Sequence, residues 1–347
     1  MAEDANRAQK HEHGGGLDVA MARFGGTREA WLDLSTGINP EPYPVGDLSS
    51  HAWTALPDSA AYDRLVRAAR QFWNVPEDAV IVPAPGASAL IAKMPALTDH
   101  AGTYIPTPTY NEHAASFDAH AKSVETAEAG QPNHVYVHPN NPDGRLWPAE
   151  AMGGRPLTII DESFCDVLPE ASHIELAAND GIVILKSFGK FWGLAGLRLG
   201  FAIGTERTFA AGEATLQDHL GPWAVSGPAL EIGARALEDE AWANATRQRL
   251  SRDAARLDDL MSGAGAKALG GTDLFRLYEV PDAVALQEAL CAEHILTRTF
   301  SYSKTWIRLG LPPADRWPQL EQALGTAGGV IRAGKASRGN AAPSPKS

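Results

Sequence analysis

Residues 181–200 read GIVILKSFGKFWGLAGLRLG, an apolar β-branched run followed by a glycine-rich segment. The run predicts a buried strand, and the glycines after it predict a turn at the carboxyl end of that strand. Partial desolvation of Lys190 among small and aromatic residues would favour the neutral amine, which attacks carbonyl carbons. Ser187 adds a hydroxyl group and Arg198 a planar cation suited to phosphate. Lys190 and Arg198 alone would indicate a surface pair, but the whole pattern favours a lysine-based active site.

Strand and helix patterns alternate on both sides of this segment. They include a helix at 62–73, a strand, turn and helix at 79–97, strands ending in turns or polar residues at 102–110, 134–144 and 156–164, and a strand at 194–204. This alternation predicts a mostly parallel sheet with helices on both faces and a ligand at the carboxyl ends of its strands. From about residue 213 the pattern changes to long helices and a few short strands, which predicts a second, smaller α+β domain.

The composition of the 347 residues excludes several classes of partner. A formal net charge of −12 repels phosphate backbones and anionic lipid, so we expect no nucleic-acid or membrane partner. The first residues lack the apolar stretch of a secretory signal, so we expect a cytoplasmic protein. Cys165 and Cys291 lack the spacing of a metal site, and no metal is expected. Residues 1–10 read as a polar arm and residues 334–347 as a disordered tail.

Further polar residues lie where the predicted strands end. Asp161 ends the run TIID, Asn141 lies in the turn PNNPDG, and Tyr110 ends the loop PTPTY. The segment GAS, with Ala87 and Ser88, opens a helix whose first amide groups can bind phosphate. Taken singly, each residue has an ordinary explanation, such as a helix-capping aspartate, an Asn-Pro turn or a core tyrosine.

In their order and spacing these motifs resemble the aspartate-aminotransferase superfamily, the fold-type I enzymes that use pyridoxal 5'-phosphate (PLP). The resemblance implies a large domain with a mostly parallel seven-stranded sheet, a smaller α+β domain and a homodimer. It also implies a role for each cofactor-binding residue: Lys190 forms a Schiff base with PLP, Ala87, Ser88, Ser187 and Arg198 bind its phosphate, Asp161 pairs with its pyridine nitrogen, Asn141 contacts its phenolic oxygen, and Tyr110 stacks on its ring.

Two positions depart from the pattern of that superfamily. Phe164 stands where many members have a tyrosine whose hydroxyl contacts the phenolic oxygen of the cofactor. Leu56 replaces the tyrosine of a Tyr-Pro-Asp motif that reaches the cofactor phosphate of the neighbouring subunit. Tyr62 is a candidate replacement for that second contact.

The N-terminal blocks HEHGGG (11–16) and DLSTGINP (33–40) resemble the threonine-phosphate decarboxylases of cobalamin biosynthesis, which are similar to histidinol-phosphate aminotransferases. Glycines let amide groups approach an anion closely. The resemblance implies five substrate-binding residues: His13, Gly14 and Asn39 near a substrate phosphate, Arg298 paired with that phosphate, and Arg308 with the α-carboxylate. HEHGGG could also be a flexible polar arm, or its two histidines part of a metal site.

We therefore expect decarboxylation of L-threonine O-3-phosphate to (R)-1-aminopropan-2-yl phosphate. The alternative is an aminotransferase acting on histidinol phosphate or a related phosphorylated amine, since orientation at the cofactor selects the reaction. A PLP-sensing regulator would need a basic DNA-binding domain, and a Rossmann dehydrogenase would need a GxGxxG motif after its first strand. The expected domains are 1–40 (arm and part of the small domain), 41–220 (PLP-binding) and 221–333 (C-terminal small domain).

Overall fold

The computed structural model describes residues 13–128, 130–210 and 214–338. These residues form two compact units, a large unit of residues 41–248 and a small unit of residues 13–40 and 249–338. The large unit thus begins at the predicted boundary after residue 40 but ends at residue 248, later than the predicted 220.

The described residues form eleven α-helices and thirteen strands, with short 3₁₀ turns between them. The helices are α1 (Leu17–Phe24), α2 (Ser50–Thr54), α3 (Ser59–Trp73), α4 (Ala87–Ile91), α5 (Asn111–Ala119), α6 (Glu206–Phe209), α7 (Leu216–Leu220), α8 (Gly227–Leu237), α9 (Glu240–Ala264), α10 (Ala283–Ala292) and α11 (Trp317–Arg338). The strands are β1 (Leu32–Asp33), β2 (Val80–Ala84), β3 (Thr103–Tyr104), β4 (Val124–Glu125), β5 (Asn133–Val137), β6 (Leu157–Asp161), β7 (Ile182–Ser187), β8 (Gly200–Gly204), β9 (Lys267–Thr272), β10 (Phe275–Glu279), β11 (Ile295–Leu296), β12 (Arg298–Phe300) and β13 (Ser303–Gly310).

The large unit is built on a seven-stranded sheet with the order β2-β8-β7-β6-β5-β3-β4. Strand β8 runs antiparallel to its neighbours β2 and β7, and the remaining pairs are parallel. Every residue of β5 and β6 is buried, as expected for central strands covered on both faces. The prediction of a mostly parallel seven-stranded sheet is confirmed.

The sheet brings the ends of three neighbouring strands to one edge. Val137 at the end of β5 pairs with Asp161 at the end of β6, and Asp161 pairs with Leu185 of β7. Parallel strands end on the same side of a sheet, so residues that follow them in the chain converge there. This edge positions the candidate site of the large unit.

The late boundary of the large unit follows from the packing of α8. This helix lies against α3, and Arg64 pairs with Glu238 just beyond the end of α8 at 2.7 Å. Tyr43 contacts Trp242 edge to face, which also ties the start of α9 to the large unit. Helical patterns alone do not reveal which sheet a helix covers, so the domain boundary at residue 220 stays a prediction.

The small unit contains a four-stranded antiparallel sheet with the order β12-β13-β10-β9 and the parallel pair β1-β11. Helix α11 buries Leu320, Leu324 and Ile331, which lie at helical spacing. It continues to Arg338, so residues 334–338 are helical rather than part of the predicted tail. Three of these five residues, Lys335, Ala336 and Arg338, are strong helix formers that can extend a helix. The rest of that tail and the predicted arm at 1–10 lie outside the described residues.

No helix in the described part of the chain is long and apolar enough to cross a membrane. Nor do the described residues contain a cluster of histidine, cysteine and acidic side chains able to hold a metal ion.

Candidate active site

One cavity of the large unit is lined by all eight residues predicted to bind the cofactor. They are Ala87, Ser88, Tyr110, Asn141, Asp161, Ser187, Lys190 and Arg198. The cavity has a volume of about 150 Å³ and lies where β5, β6 and β7 end. The structure thus brings these residues together, while the contact of each one with PLP stays a prediction.

Lys190 lies in the glycine-rich turn that follows β7. Ser187 ends the strand, and its hydroxyl oxygen accepts a hydrogen bond from the amide of Gly189 at 3.2 Å, which orders the turn. The amine of Lys190 lies 5.2 Å from the centre of the Phe164 ring. This distance is within the range of a cation–π contact, and the amine lies over the face of the phenyl ring.

Asp161 is buried with both carboxylate oxygens hydrogen-bonded. Oδ1 accepts from the amide and hydroxyl of Ser163 at 3.0 and 2.5 Å, and Oδ2 accepts from Nε2 of His113 at 2.8 Å. Burial raises the pKa of this carboxyl, but the hydrogen bonds and charge of His113 and the hydrogen bonds of Ser163 outweigh it and lower the pKa below its ordinary value. Asp161 is therefore ionised at neutral pH.

His113 and Ser163 are functional candidates that the sequence patterns did not reveal. His113 is fully buried in α5, and its ring contacts Tyr110 edge to face at 6.2 Å. Its position one helical turn after Tyr110 was the one available signal, because residues three or four apart share a helix face. The sequence does not tell which face of α5 packs on the sheet.

Two glycines allow the predicted phosphate-binding segments to approach each other. Gly86 has a φ of +91°, and a Cβ there would lie 2.5 Å from Nη2 of Arg198. A Cβ on Gly200 would lie 2.5 Å from the amide nitrogen of Ala87. Arg198 itself has left-handed backbone angles, with φ 51° and ψ 57°, which cost energy for a non-glycine residue. The chain thus accepts strain to hold this guanidinium beside the start of α4.

Hydrogen bonds around Asn140 join the segments that carry Tyr110 and Asn141. Asn140 Oδ1 accepts from the Thr109 hydroxyl at 2.6 Å, and its amide group donates to the Pro108 carbonyl and the Asp143 carboxylate. Burial, followed by the charges of Glu112 and Asp161, raises the pKa of Tyr110 to about 12. Tyr110 therefore stays a neutral phenol at the wall of the cavity.

In the small unit, Arg298 and Arg308 lie directly opposite each other on the antiparallel strands β12 and β13. Opposed residues of such a pair point to the same face of the sheet. Nη2 of Arg308 donates to the Ser35 carbonyl at 2.5 Å, and Nη1 of Arg298 donates to the His13 carbonyl at 3.0 Å. Burial, followed by the charge of Arg298, lowers the pKa of Arg308 to about 10. The guanidinium is still protonated at neutral pH.

Arg298 and His13 also line a cleft of the small unit together with Gly15, Ser35 and Thr297. Gly14, Asn39 and Arg308 are absent from that lining, and Arg308 is buried. A Cβ on Gly14 would lie 2.3 Å from the Ser35 carbonyl oxygen, so the close approach requires glycine. Asn39 is buried and its Oδ1 accepts from Arg249 at 2.6 Å.

The sequence model of the family described as Aminotransferase class I and II matches residues 117–325. The chain belongs to this family. It is 42% identical over 319 residues to a threonine-phosphate decarboxylase of a Sinorhizobium species, covering 87% of this chain and 93% of that protein. The histidinol-phosphate aminotransferase of Halobacterium salinarum is 28% identical over 279 residues, covering 76% of this chain and 72% of that protein.

The fold of a class I and II aminotransferase is also found in solved structures similar to this chain. The crystal structure of histidinol-phosphate aminotransferase from Sinorhizobium meliloti in complex with pyridoxal-5'-phosphate has a TM-score of 0.76 at 18% identity. The match covers 92% of this chain and 95% of that one. The fold class predicted from the sequence and the predicted cofactor, PLP, are both confirmed.

The residues of the large-unit cavity fit PLP. Arg198 and the amide groups at the start of α4 match a phosphate, and the glycines at 86 and 200 keep the space between them open. Asp161 offers an ionised carboxylate for a protonated ring nitrogen, and Lys190 offers an amine for the aldehyde. Phe164 has no hydroxyl group for the phenolic oxygen, unlike the tyrosine of many superfamily members. Asn141, the other residue predicted to contact that oxygen, lines the cavity.

Proposed function

We propose that this protein is a PLP-dependent decarboxylase that converts L-threonine O-3-phosphate to (R)-1-aminopropan-2-yl phosphate in cobalamin biosynthesis. The cavity of the large unit holds the cofactor. Residues of the small unit bind the two anionic groups of the substrate, with Arg298 on the phosphate, Arg308 on the carboxylate, and His13, Gly14 and Asn39 as further phosphate-side residues.

The opposed pair of Arg298 and Arg308 is the observation that most directly supports a substrate with two anionic groups. Like charges directly opposite on neighbouring strands are destabilising, and the charge of Arg298 accordingly lowers the pKa of Arg308. A ligand with two anionic groups relieves that repulsion and supplies hydrogen-bond acceptors for both guanidinium groups. Threonine phosphate carries a phosphate and a carboxylate only a few bonds apart, which suits two adjacent cations.

Decarboxylation is favoured over amino transfer by the degree of similarity to known proteins. The threonine-phosphate decarboxylase relative is 42% identical, whereas the histidinol-phosphate aminotransferase is 28% identical over a shorter stretch. Histidinol phosphate also lacks a carboxylate, so it would use one of the two arginines. The observed pair is therefore better matched to an amino acid phosphate.

The residues of the cavity have separate tasks in this reaction. PLP, when bound, withdraws electrons from the bond that breaks at the substrate Cα. Lys190 presents an amine that can accept or deliver a proton at Cα. Asp161, held ionised by His113 and Ser163, favours the protonated ring nitrogen. Arg198 and the amides of α4 bind the cofactor phosphate.

Arg298→Ala is expected to raise KM for threonine phosphate about 10- to 100-fold, with a much smaller change in kcat. The reason is that a hydrogen bond to a charged group contributes about 1.5–3 kcal/mol. The measurement is CO₂ release with PLP present and no 2-oxo acid, for threonine phosphate and for unphosphorylated threonine. Threonine lacks the phosphate, so its KM should not change.

Arg256→Ala is the matched control, because Arg256 lies in the small unit and forms an exposed ion pair with Glu321. It should leave both KM values unchanged. Equal losses with threonine and threonine phosphate in the Arg298 variant would show that Arg298 does not bind the phosphate.

The proposal also includes a homodimer, supported by exposed apolar side chains of the large unit. Trp53, Leu56 and Trp223 have relative exposures of 70%, 69% and 56%, and Gly227 packs closely on Ala52 so that their segments adjoin. Exposed clusters of large apolar residues mark association surfaces. Light scattering of the purified protein should give twice the chain mass of 36.9 kDa, and a monomer mass would contradict the dimer. The cytoplasmic location stays a prediction.

A further inference from the structure

A buried charge cluster lies on the face of the large sheet opposite the Asp161 side chain. It consists of Glu162, Asp166 and Lys186, whose relative exposures are 1%, 4% and 1%. Successive side chains of a strand point to opposite faces, so Glu162 points away from its neighbour Asp161 and Lys186 away from Ser187. Nζ of Lys186 lies 2.6 Å from Oε2 of Glu162 and 3.7 Å from Oδ1 of Asp166. The proposed reaction uses none of these three residues.

The carboxylates of the cluster have specific hydrogen-bond donors. Glu162 accepts from the amide of His173 at 2.6 Å and from the hydroxyl of Ser172 at 2.6 Å. Apolar residues of similar volume are often as stable as a buried ion pair or more stable, so the free energy of folding alone gives little reason for three buried charges. Fixed geometry is what such a cluster adds, because each hydrogen bond between its groups constrains direction as well as distance.

Asp166 connects the cluster to the turn that carries Lys190. Its oxygens accept from Nε1 of Trp73 at 2.9 Å and from Nε1 of Trp192 at 3.1 Å. Trp192 comes two residues after Lys190 and stacks on Phe188, with ring centres 5.0 Å apart and an angle of 11°. Lys186 comes four residues before Lys190. The cluster thus holds the chain on both sides of Lys190.

The same cluster also holds the end of β6. Glu162 follows Asp161 directly, and its amide donates to the carbonyl of Leu185 at 2.9 Å, one residue before Lys186. The ion pair between Glu162 and Lys186 therefore links the same two strands, β6 and β7, that this backbone hydrogen bond joins. A change in this pair would move Asp161 and the start of the Lys190 turn relative to each other.

We infer that Glu162, Asp166 and Lys186 are positioning residues that hold the Lys190 amine and the Asp161 carboxylate in a fixed relation. The inference rests on the proposed PLP site, since the two groups act together only there. A displacement of about 1 Å can cost about 100-fold in rate, so the cluster matters to the reaction even though it does not line the cofactor cavity.

The test uses the double variant Glu162→Gln/Lys186→Met. It replaces two of the three charged side chains of the cluster, one of each sign, with neutral ones. Three quantities are measured in the full chain: the melting temperature without PLP, the dissociation constant for PLP, and the visible circular dichroism of bound PLP, which reports its orientation. We expect a lower melting temperature, because loss of Lys186 leaves the buried carboxylate of Asp166 without its neighbouring cation, together with a weaker dichroic band and a kcat about 100-fold lower. Wild-type dichroism, PLP affinity and kcat in this variant would overturn the inference.

A second variant keeps the test decisive if the double variant fails to fold. Trp192→Phe removes the indole donor of Asp166 and retains an aromatic ring against Phe188. It should weaken the dichroic band of bound PLP, and a wild-type band would overturn the inference.

The matched control is Asp258→Asn in the small unit. Asp258 accepts from Arg276 at 2.7 Å and from the Tyr278 hydroxyl at 2.7 Å, so the variant should lower the melting temperature. It should leave the dichroism and PLP affinity unchanged, and an equal change would show that the readouts follow stability and would overturn the inference. Failure of the wild-type chain to bind PLP would instead contradict the proposed function.

Discussion

Lys190→Ala is expected to lower the rate of CO₂ release from threonine phosphate about 10³-fold or more and to abolish the visible absorbance of lysine-bound PLP. Among the residues that line the cavity of the large unit, Lys190 supplies the primary amine, and Arg198 cannot replace it because a guanidinium stays protonated. Loss of a positioned proton-transfer group alone costs about 10²- to 10⁴-fold in rate. The measurements are the absorbance spectrum of the PLP-loaded protein and the initial rate of CO₂ release.

Lys267→Ala is the control for this variant, because Lys267 is exposed on the small unit and forms only a loose pair with Glu279 at 3.5 Å. Its spectrum and rate should equal those of the wild type. An unchanged absorbance band in Lys190→Ala would mean that another group binds the cofactor, and Lys190 would lose its role.

Asp161→Asn is expected to lower kcat about 10²- to 10³-fold, because a neutral amide cannot favour a protonated ring nitrogen. The amide would also place a donor against either His113 or Ser163, both of which donate to Asp161. Separate measurement of kcat, KM and PLP affinity distinguishes a loss of catalysis from a loss of binding. KM for threonine phosphate should stay nearly unchanged, because Arg298 and Arg308, the proposed substrate-binding residues, are intact in this variant.

The control is Asp180→Asn, which removes an exposed partner of Arg207 in the same unit. The pH dependence gives a second check on Asp161. Its folded-state pKa is lowered, so its contribution to stability is present above the ordinary pKa of a carboxyl and is lost as pH falls through the folded pKa. An Asp161 titration near neutral pH, or a kcat unaffected by Asp161→Asn, would contradict this role.

Residues next to the ends of strands could be predicted from the sequence. Lys190, Asp161 and Asn141 each follow an apolar β-branched run, and parallel strands bring such positions together without further information. The resemblance to known enzymes supplied the roles. Arg198 and the segment at 86–88 were placed in the same way, although the left-handed backbone of Arg198 had no signal in the sequence.

Residues that act through packing could not be predicted. His113 contacts Asp161 because α5 lies with one particular face on the sheet, and no local pattern specifies that face. The opposition of Arg298 and Arg308 depends on the register of β12 and β13, which a shift of one residue would remove. The sequence places Lys186 at the end of an apolar strand. Its buried ion pair with Glu162 depends on how β6 and β7 align in the sheet, which the sequence does not show.

The extent of the two compact units and of the last helix also depends on packing that no local sequence pattern shows. The pattern marks where helices begin, but the large unit ends at residue 248 because α8 packs on α3. Polar small residues near 334 suggested disorder, whereas the packed helix α11 continues through them to Arg338.

The fate of the substrate carboxylate distinguishes decarboxylation from amino transfer. Purified protein with PLP and carboxyl-labelled threonine phosphate is followed with and without a 2-oxo acid, with CO₂ and 1-aminopropan-2-yl phosphate measured together. We expect equal amounts of CO₂ and amine, formed at the same rate whether or not the oxo acid is present. Retention of the labelled carboxylate, with amino transfer that requires the oxo acid, would contradict it.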